Sequence, residues 1–122
     1  MEHSAKCTCM QHAPTCKLNK AKAAIPDGDV LNKLTDLFKI LGDPTRAKIL
    51  LGLKGRELCV CDLGELVGLT LSAASHQLKA LKQASLVSAR RDGKNVYYTL
   101  DDEHVGAVFN LALEHANNCL NN

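Results

Sequence analysis

Two pairs of cysteines in this chain, Cys7 with Cys9 and Cys59 with Cys61, are each separated by a single residue. That spacing suits an internal disulfide poorly but lets two thiolates face one ion. Cys16 and Cys119 complete a set of six. A centre of three or four thiolates selects soft or borderline cations, so Cd(II), Pb(II) or Zn(II) is the expected ligand. Cys61 falls at the start of a predicted helix, where backbone N–H groups favour a thiolate. Free cysteines are also common small core residues. The second closely spaced pair and Cys16, in a weakly apolar segment, tip the reading towards metal. His3 and His12 are close by in sequence, but histidines in such a segment are normally solvated.

These thiols act as ligands only when reduced. The opening MEHSAKCTCMQHAPTCKLNK is polar and has no signal-peptide core, and no apolar run approaches the roughly 20 residues of a bilayer span. A cytoplasmic protein with no membrane partner is expected, in which cysteines serve as ligands or redox sensors rather than crosslinks. No set of nucleophile, base and orienting group stands out, so catalysis is not expected. Hydrophobic residues make up 46% but aromatics only 3%, with no Trp, which implies an aliphatic, helical core. The net charge is only +2, so a nucleic-acid surface would have to come from local clustering of cations.

Residues 1–28 hold three cysteines, two histidines, two prolines and few large aliphatics, the composition of a flexible arm without its own core. The remainder, 29–122, reads as one mainly α domain with a small β-hairpin. Val30, Leu34, Leu37 and Leu41, with Leu31 and Phe38 beside them, form the stripe of a first helix that Gly42 ends. Asp43 and Pro44 are an N-cap and first helical residue, opening a second helix to about Leu53. A third begins near Cys59–Asp62, turns Leu63, Leu66 and Val67 inward and stops at Gly68. Thr70 or Ser72 caps a fourth, whose apolar stripe is Leu71, Ala74, Leu78 and Leu81. Its other face carries Ser72, Ser75, His76, Lys79 and Lys82. Two short helices joined by a tight turn, the second polar and basic outside, read as helix-turn-helix.

A basic hairpin follows. Asp92-Gly93 is the expected turn, placing Val87 and Ala89 on one face with Val96 and Tyr98. Ser88, Arg90, Asn95 and Tyr97 take the other. Arg90, Arg91 and Lys94 cluster near the tip, where a wing can lie along phosphates; with Lys79 and Lys82 they concentrate positive charge around one helix and one hairpin. The last segment, about Glu103 to Asn118, is apolar nearly all round, so one side of its helix is expected to pack on a second copy.

The strings ELCVCDL, SAASHQL and GKNVYYTL, with LGDPTRAKIL upstream, strongly resemble the ArsR/SmtB family of metal-sensing repressors over about Leu31 to Cys119. The resemblance implies a winged helix-turn-helix homodimer formed through the first and last helices. It implies contact of Ser75, His76 and Gln77 with double-stranded operator DNA. Cys59 and Cys61 match the family's thiolate pair. Gly64 stands where arsenite sensors that use one helix carry a third cysteine, and the cysteine-rich arm points to the cadmium/lead-sensing branch and its zinc relatives. There, arm cysteines complete the site with the partner's pair, which makes Cys7, Cys9 and Cys16 the candidates here. A second family site corresponds to Asp102, His104 and His115. Asn118 replaces its last carboxylate, and Cys119 is the substitute ligand, four residues after His115 on the same face. The alternative for these residues is an Asp102 helix cap and two interface histidines.

A metal-responsive repressor released from its operator by metal, controlling an efflux or resistance operon, is therefore the expected function. The alternatives are a thiol redox or arsenite sensor on the same fold, or a metal-buffering protein that uses the arm alone.

Overall fold

A computed structural model describes residues 16–121. The chain divides into two compact units, Met1–Asp36 and Leu37–Asn122. The first contains helix α1 (Cys16–Ala24) and most of helix α2 (Gly28–Leu41). Helix α1 lies within the segment that composition marks as an arm. It buries no residue, and Lys, Leu and Ala are good helix formers without tertiary support. At the start of α2, Val30 N–H donates to Asp27 Oδ1 at 3.1 Å, and the apolar residues Val30, Leu31 and Leu34 remain exposed.

The second unit takes in the end of α2, where Leu37, Ile40 and Leu41 pack against the core. It continues with α3 (Pro44–Gly52), β1 (Leu58–Cys59), α4 (Val60–Val67), α5 (Leu71–Gln83), β2 (Val87–Asp92), β3 (Asn95–Leu100) and α6 (Glu103–Asn121). Local chemistry sets most of these boundaries. Asp43 Oδ2 accepts from Arg46 N–H at 3.0 Å with Pro44 in the first helical position. Gly68 ends α4 in the left-handed conformation at φ 71°, which lets Leu69 N–H reach the Gly64 carbonyl at 2.9 Å. Of the two candidate caps of α5, Thr70 is the one used: its hydroxyl accepts from Ala73 N–H at 3.1 Å. Asp102 caps α6 through Oδ1, which accepts from His104 N–H at 2.8 Å and Val105 N–H at 3.3 Å.

The core is aliphatic, as composition requires. Ile49 and Leu50 of α3 with its C-cap residue Leu53, Leu63 of α4, Leu78 and Leu81 of α5, and then Leu86 and Val87 form one buried cluster. Two expected core residues lie outside it. Leu66 and Leu71 are 49% and 58% exposed, so their helix faces are covered only in part.

The hairpin is part of a three-stranded antiparallel sheet in the order β1-β3-β2. Strand β1 has only two residues, Leu58 opposite Tyr98 and Cys59 opposite Tyr97, too few to show alternation in sequence. The turn is also one residue later than expected. Asp92 pairs with Asn95, so Gly93 and Lys94 form the two-residue connection, with Gly93 at φ 64°. Positive φ at the first central residue and not at the second, Lys94, is the pattern of a type II′ turn, and glycine adopts that first position freely. The slide moves every partner by two positions, so the expected faces survive: Ala89 lies opposite Tyr98 instead of Val96, and Arg90 opposite Tyr97 instead of Asn95.

Helix α6 turns Val105 and Phe109 to the core and leaves Val108, Leu111, Leu113 and Leu120 exposed. Among the described residues no helix is long and apolar enough to cross a membrane.

Leu78 is fully buried at the centre of α5. Leu78→Ala is expected to lower unfolding free energy by about 2–5 kcal/mol, read as a shift of the urea midpoint at fixed protein concentration.

Candidate nucleic-acid interface and thiol centre

Helix α5 buries Ala74, Leu78 and Leu81, and this anchoring turns Ser72, Ser75, His76, Lys79 and Lys82 to solvent. With Thr70 serving as the cap, the Ser72 hydroxyl is left at the exposed start of the helix. Gln77 stands apart from this polar face. It is half-buried, and its Oε1 accepts from Arg46 Nε–H of α3 at 3.2 Å. Arg46 had escaped notice in the sequence, although a cation in the first turn of a helix, where the helix dipole disfavours it, is itself a signal of a partner elsewhere.

The wing presents its cations unequally. Arg91 and Lys94 are exposed, and among the described residues neither enters an ion pair. Arg90 is held in a fork by Glu57: Nε donates to Oε2 at 2.9 Å and Nη2 to Oε1 at 2.7 Å. Its guanidinium also lies over the Tyr97 ring, 4.9 Å from the centroid. The hydrogen bonds and charge of Arg90 hold the Glu57 carboxyl below its ordinary value of 4.5, and Glu57 in turn raises Arg90 above its own. Arg90, expected from sequence to be a phosphate contact, is thus engaged by Glu57 of the segment before β1, a contact between residues remote in sequence that the sequence reading did not single out.

Cys59 and Cys61 flank the β1–α4 junction. Cys59 is half-buried and Cys61 exposed in the first turn of α4, both as free thiols. Cys59 precedes the helix in extended backbone, with φ −84° and ψ 168°. The pair opens on a cleft of about 190 Å³ whose walls include Leu71 and Ser75 of α5, Lys94 of the turn and Val96 of β3. The thiols, the recognition helix and the wing tip thus share one surface. Two adjacent thiols at a helix start fit a soft cation, but they are half of a four-coordinate set. Among the described residues no group of three or more His, Cys, Asp or Glu is close enough to hold an ion. Cys16 is exposed as the first residue of α1, while Cys7 and Cys9 lie outside the described residues.

The comparisons agree with this geometry. Residues 43–89 match the family model described as bacterial regulatory protein, arsR family. The chain is 41% identical over 101 residues to a cadmium resistance transcriptional regulatory protein CadC homolog of Staphylococcus aureus, covering 81% of this chain and 82% of that protein. It is 40% identical over 87 residues to a transcriptional repressor SmtB homolog of Synechocystis sp., covering 71% of this chain and 66% of the relative. A homodimeric winged helix-turn-helix DNA-binding domain from Mycobacterium bovis superposes with a TM-score of 0.71 at 33% identity, over 80% of this chain and 93% of that one. The chain belongs to the ArsR family.

As an ArsR-family chain it is a winged helix-turn-helix, with α4 and α5 as the two helices and β2–β3 as the wing. The single-helix arsenite arrangement meets a steric obstacle in this member. Gly64 is buried, and a Cβ there would lie 3.1 Å from the Leu69 carbonyl oxygen and 3.6 Å from the Ala74 methyl. At the second candidate site the ligands fall into two pairs. His104 Nδ1 is 3.5 Å from Asp102 Oδ1, the same oxygen that caps α6, and His115 Nε2 is 3.6 Å from Cys119 Sγ. The two histidines are separated by about 16 Å of helix at 1.5 Å per residue, so one α6 cannot bring both pairs to one ion.

The exposed wing cations generate a prediction. Arg91→Ala with Lys94→Ala is expected to weaken binding to operator and random duplexes alike and to flatten the salt dependence by about two units of slope, measured by fluorescence anisotropy.

Proposed function

We propose that this chain is a metal-responsive transcriptional repressor: the metal-free dimer binds operator DNA and leaves it when cysteine thiolates capture Cd(II), Pb(II) or Zn(II), which switches on a metal efflux or resistance operon. One observation carries the reading. Cys59 and Cys61 share a cleft with Ser75 and Lys94, so whatever the thiols hold bears directly on both DNA-facing elements. The names of the cadmium-resistance and SmtB relatives support the same class of effector.

Cys59 and Cys61 supply two thiolates, and two of Cys7, Cys9 and Cys16 supply the rest of a four-thiolate site. The bound cation crosslinks thiolates, and soft ions accept that donor set more readily than oxygen or imidazole. A coupling of about 1–3 kcal/mol per binding event is the normal scale for such an effector. Dimerisation follows from unpartnered apolar faces. The exposed side chains Val30, Leu34 and Phe38 of α2, and Val108, Leu111 and Leu113 of α6, are large enough to form the core of an interface. A twofold dimer would set its recognition helices about 34 Å apart, one turn of the duplex. Ser72, Ser75, His76, Gln77, Lys79 and Lys82 of α5, with Arg91 and Lys94 of the wing, are the proposed DNA contacts. Asp102, His104, His115 and Cys119 form the proposed second metal site, completed across two copies of α6.

Cys59→Ser and Cys61→Ser are each expected to leave operator binding by the metal-free protein intact and to abolish release by Cd(II) or Pb(II). A Ser hydroxyl is close in size to the thiol but stays protonated at neutral pH and is a poor ligand for soft ions. Removal of residues 1–16 is expected to have the same effect. The measurement is a metal titration on operator DNA beside the sulfur-to-metal charge-transfer absorption. Normal release of the truncated protein would rule out the arm thiols as ligands. His104→Ala with His115→Ala is expected to change zinc stoichiometry, measured by equilibrium dialysis, while leaving cadmium-induced release in place.

A further inference from the structure

The thiol pair is tied to the wing by a set of contacts that no family motif announces. Cys59 is paired through the backbone with Tyr97 of β3. Glu57, two residues earlier, grips Arg90 of β2 with both carboxylate oxygens, at 2.7 and 2.9 Å. Arg90 lies opposite Tyr97 in the β2–β3 ladder and covers its ring. One guanidinium therefore joins the segment leading into β1, the body of β2 and the face of β3. Strand β1 brings only two paired residues to this sheet, too short a ladder to fix the angle of the wing by itself. Val87 anchors the base of the hairpin in the core, and the bidentate fork adds a directional constraint farther along it, because its two parallel hydrogen bonds favour one relative orientation. Arg90 is also three residues before Gly93 and four before Lys94, the tip of the wing.

We propose that the Glu57–Arg90 pair is the positioning device that transmits the state of the Cys59–Cys61 pair to the wing, and that Arg90 orients the wing instead of contacting a phosphate. The inference rests on the repressor reading. Capture of an ion at Cys59 and Cys61 draws on the same five-residue segment that carries Glu57. A shift of that segment is passed through the fork to β2, and so to Lys94.

Two substitutions that keep the positive charge of the wing test this. Glu57→Gln removes the charged half of the fork, and Arg90→Lys keeps a cation while losing the planar two-point geometry. The full-length proteins are titrated with Cd(II) on the duplex upstream of their own coding sequence, with charge-transfer absorption read in parallel. In the wild type, Cd(II) is expected to weaken DNA binding by at least about tenfold, within the usual range of allosteric coupling. In both variants Cd(II) is expected to bind with the same absorption and affinity, while the weakening of DNA binding shrinks to less than about threefold. Glu57→Gln is expected to bind DNA without metal as the wild type does, with the same salt slope.

If Arg90 instead served a phosphate, Glu57→Gln would free it and tighten DNA binding, and Arg90→Lys would respond to Cd(II) normally. Either result overturns the proposal, and so does loss of the absorption band in Glu57→Gln, which would place Glu57 in the metal site itself. A wild type that Cd(II), Pb(II) and Zn(II) all fail to release overturns the repressor reading, and this inference with it.

Discussion

One aliphatic seam decides where every outward-facing residue of the second unit points. Ile49 and Leu50 of α3 with Leu53 just after it, Leu63 of α4, and Leu78 and Leu81 of α5 are closed off from solvent together. Burying the equivalent of six large aliphatic side chains favours this packing by about 1.5–3 kcal/mol each, before the entropy of ordering them. With so few aromatics, shape-matched leucines and isoleucine are the means available to this chain. Because the buried stripe of α5 is fixed, its polar face is fixed as well, and the residues proposed to read DNA are presented on a rigid element.

The small sheet extends that rigidity to the thiols. A two-residue strand contributes little by itself, yet it brings Cys59 against Tyr97 and Glu57 within reach of Arg90. An exposed ion pair of this kind adds little to stability. Its consequence is geometric: it makes the position of the wing depend on the segment that bears the cysteines. The same segment opens on the cleft walled by Ser75 and Lys94, so the cysteines reach the DNA-facing elements by two routes, one through the sheet and one through the cleft.

Helices α2 and α6 show the opposite condition, apolar surface left without cover. Phe38 is 55% exposed and Leu111 70%. Residues of this size are costly to leave in water, and a second copy of the chain removes them from it. The ligand pairs at the two ends of α6 have the same character. Asp102 lies beside His104 and His115 beside Cys119, and in the proposed second site each pair is completed by another copy of the chain.

Much of the architecture was legible in the sequence, for one reason: the interactions that end helices span three or four residues. Asp43 before Pro44, Gly68 after α4 and Asp102 before α6 each satisfy backbone groups of their own immediate neighbours. The faces of the hairpin were legible for a similar reason. Side chains alternate with a strict period of two, so a turn placed one residue later moved the partners and left the faces alone. The cysteine spacing suggested the chemistry that is proposed, since ligand type and separation are properties of the chain itself. What the tertiary structure decided were contacts between residues remote in sequence. Arg46 finds Gln77 thirty-one residues away and Arg90 finds Glu57 thirty-three away. Leu66 and Leu71 share the periodicity of buried neighbours and still lie outside the core. Periodicity states that a helix has an apolar face, but how much of that face is covered depends on which other elements arrive beside it, and only the packed chain settles that.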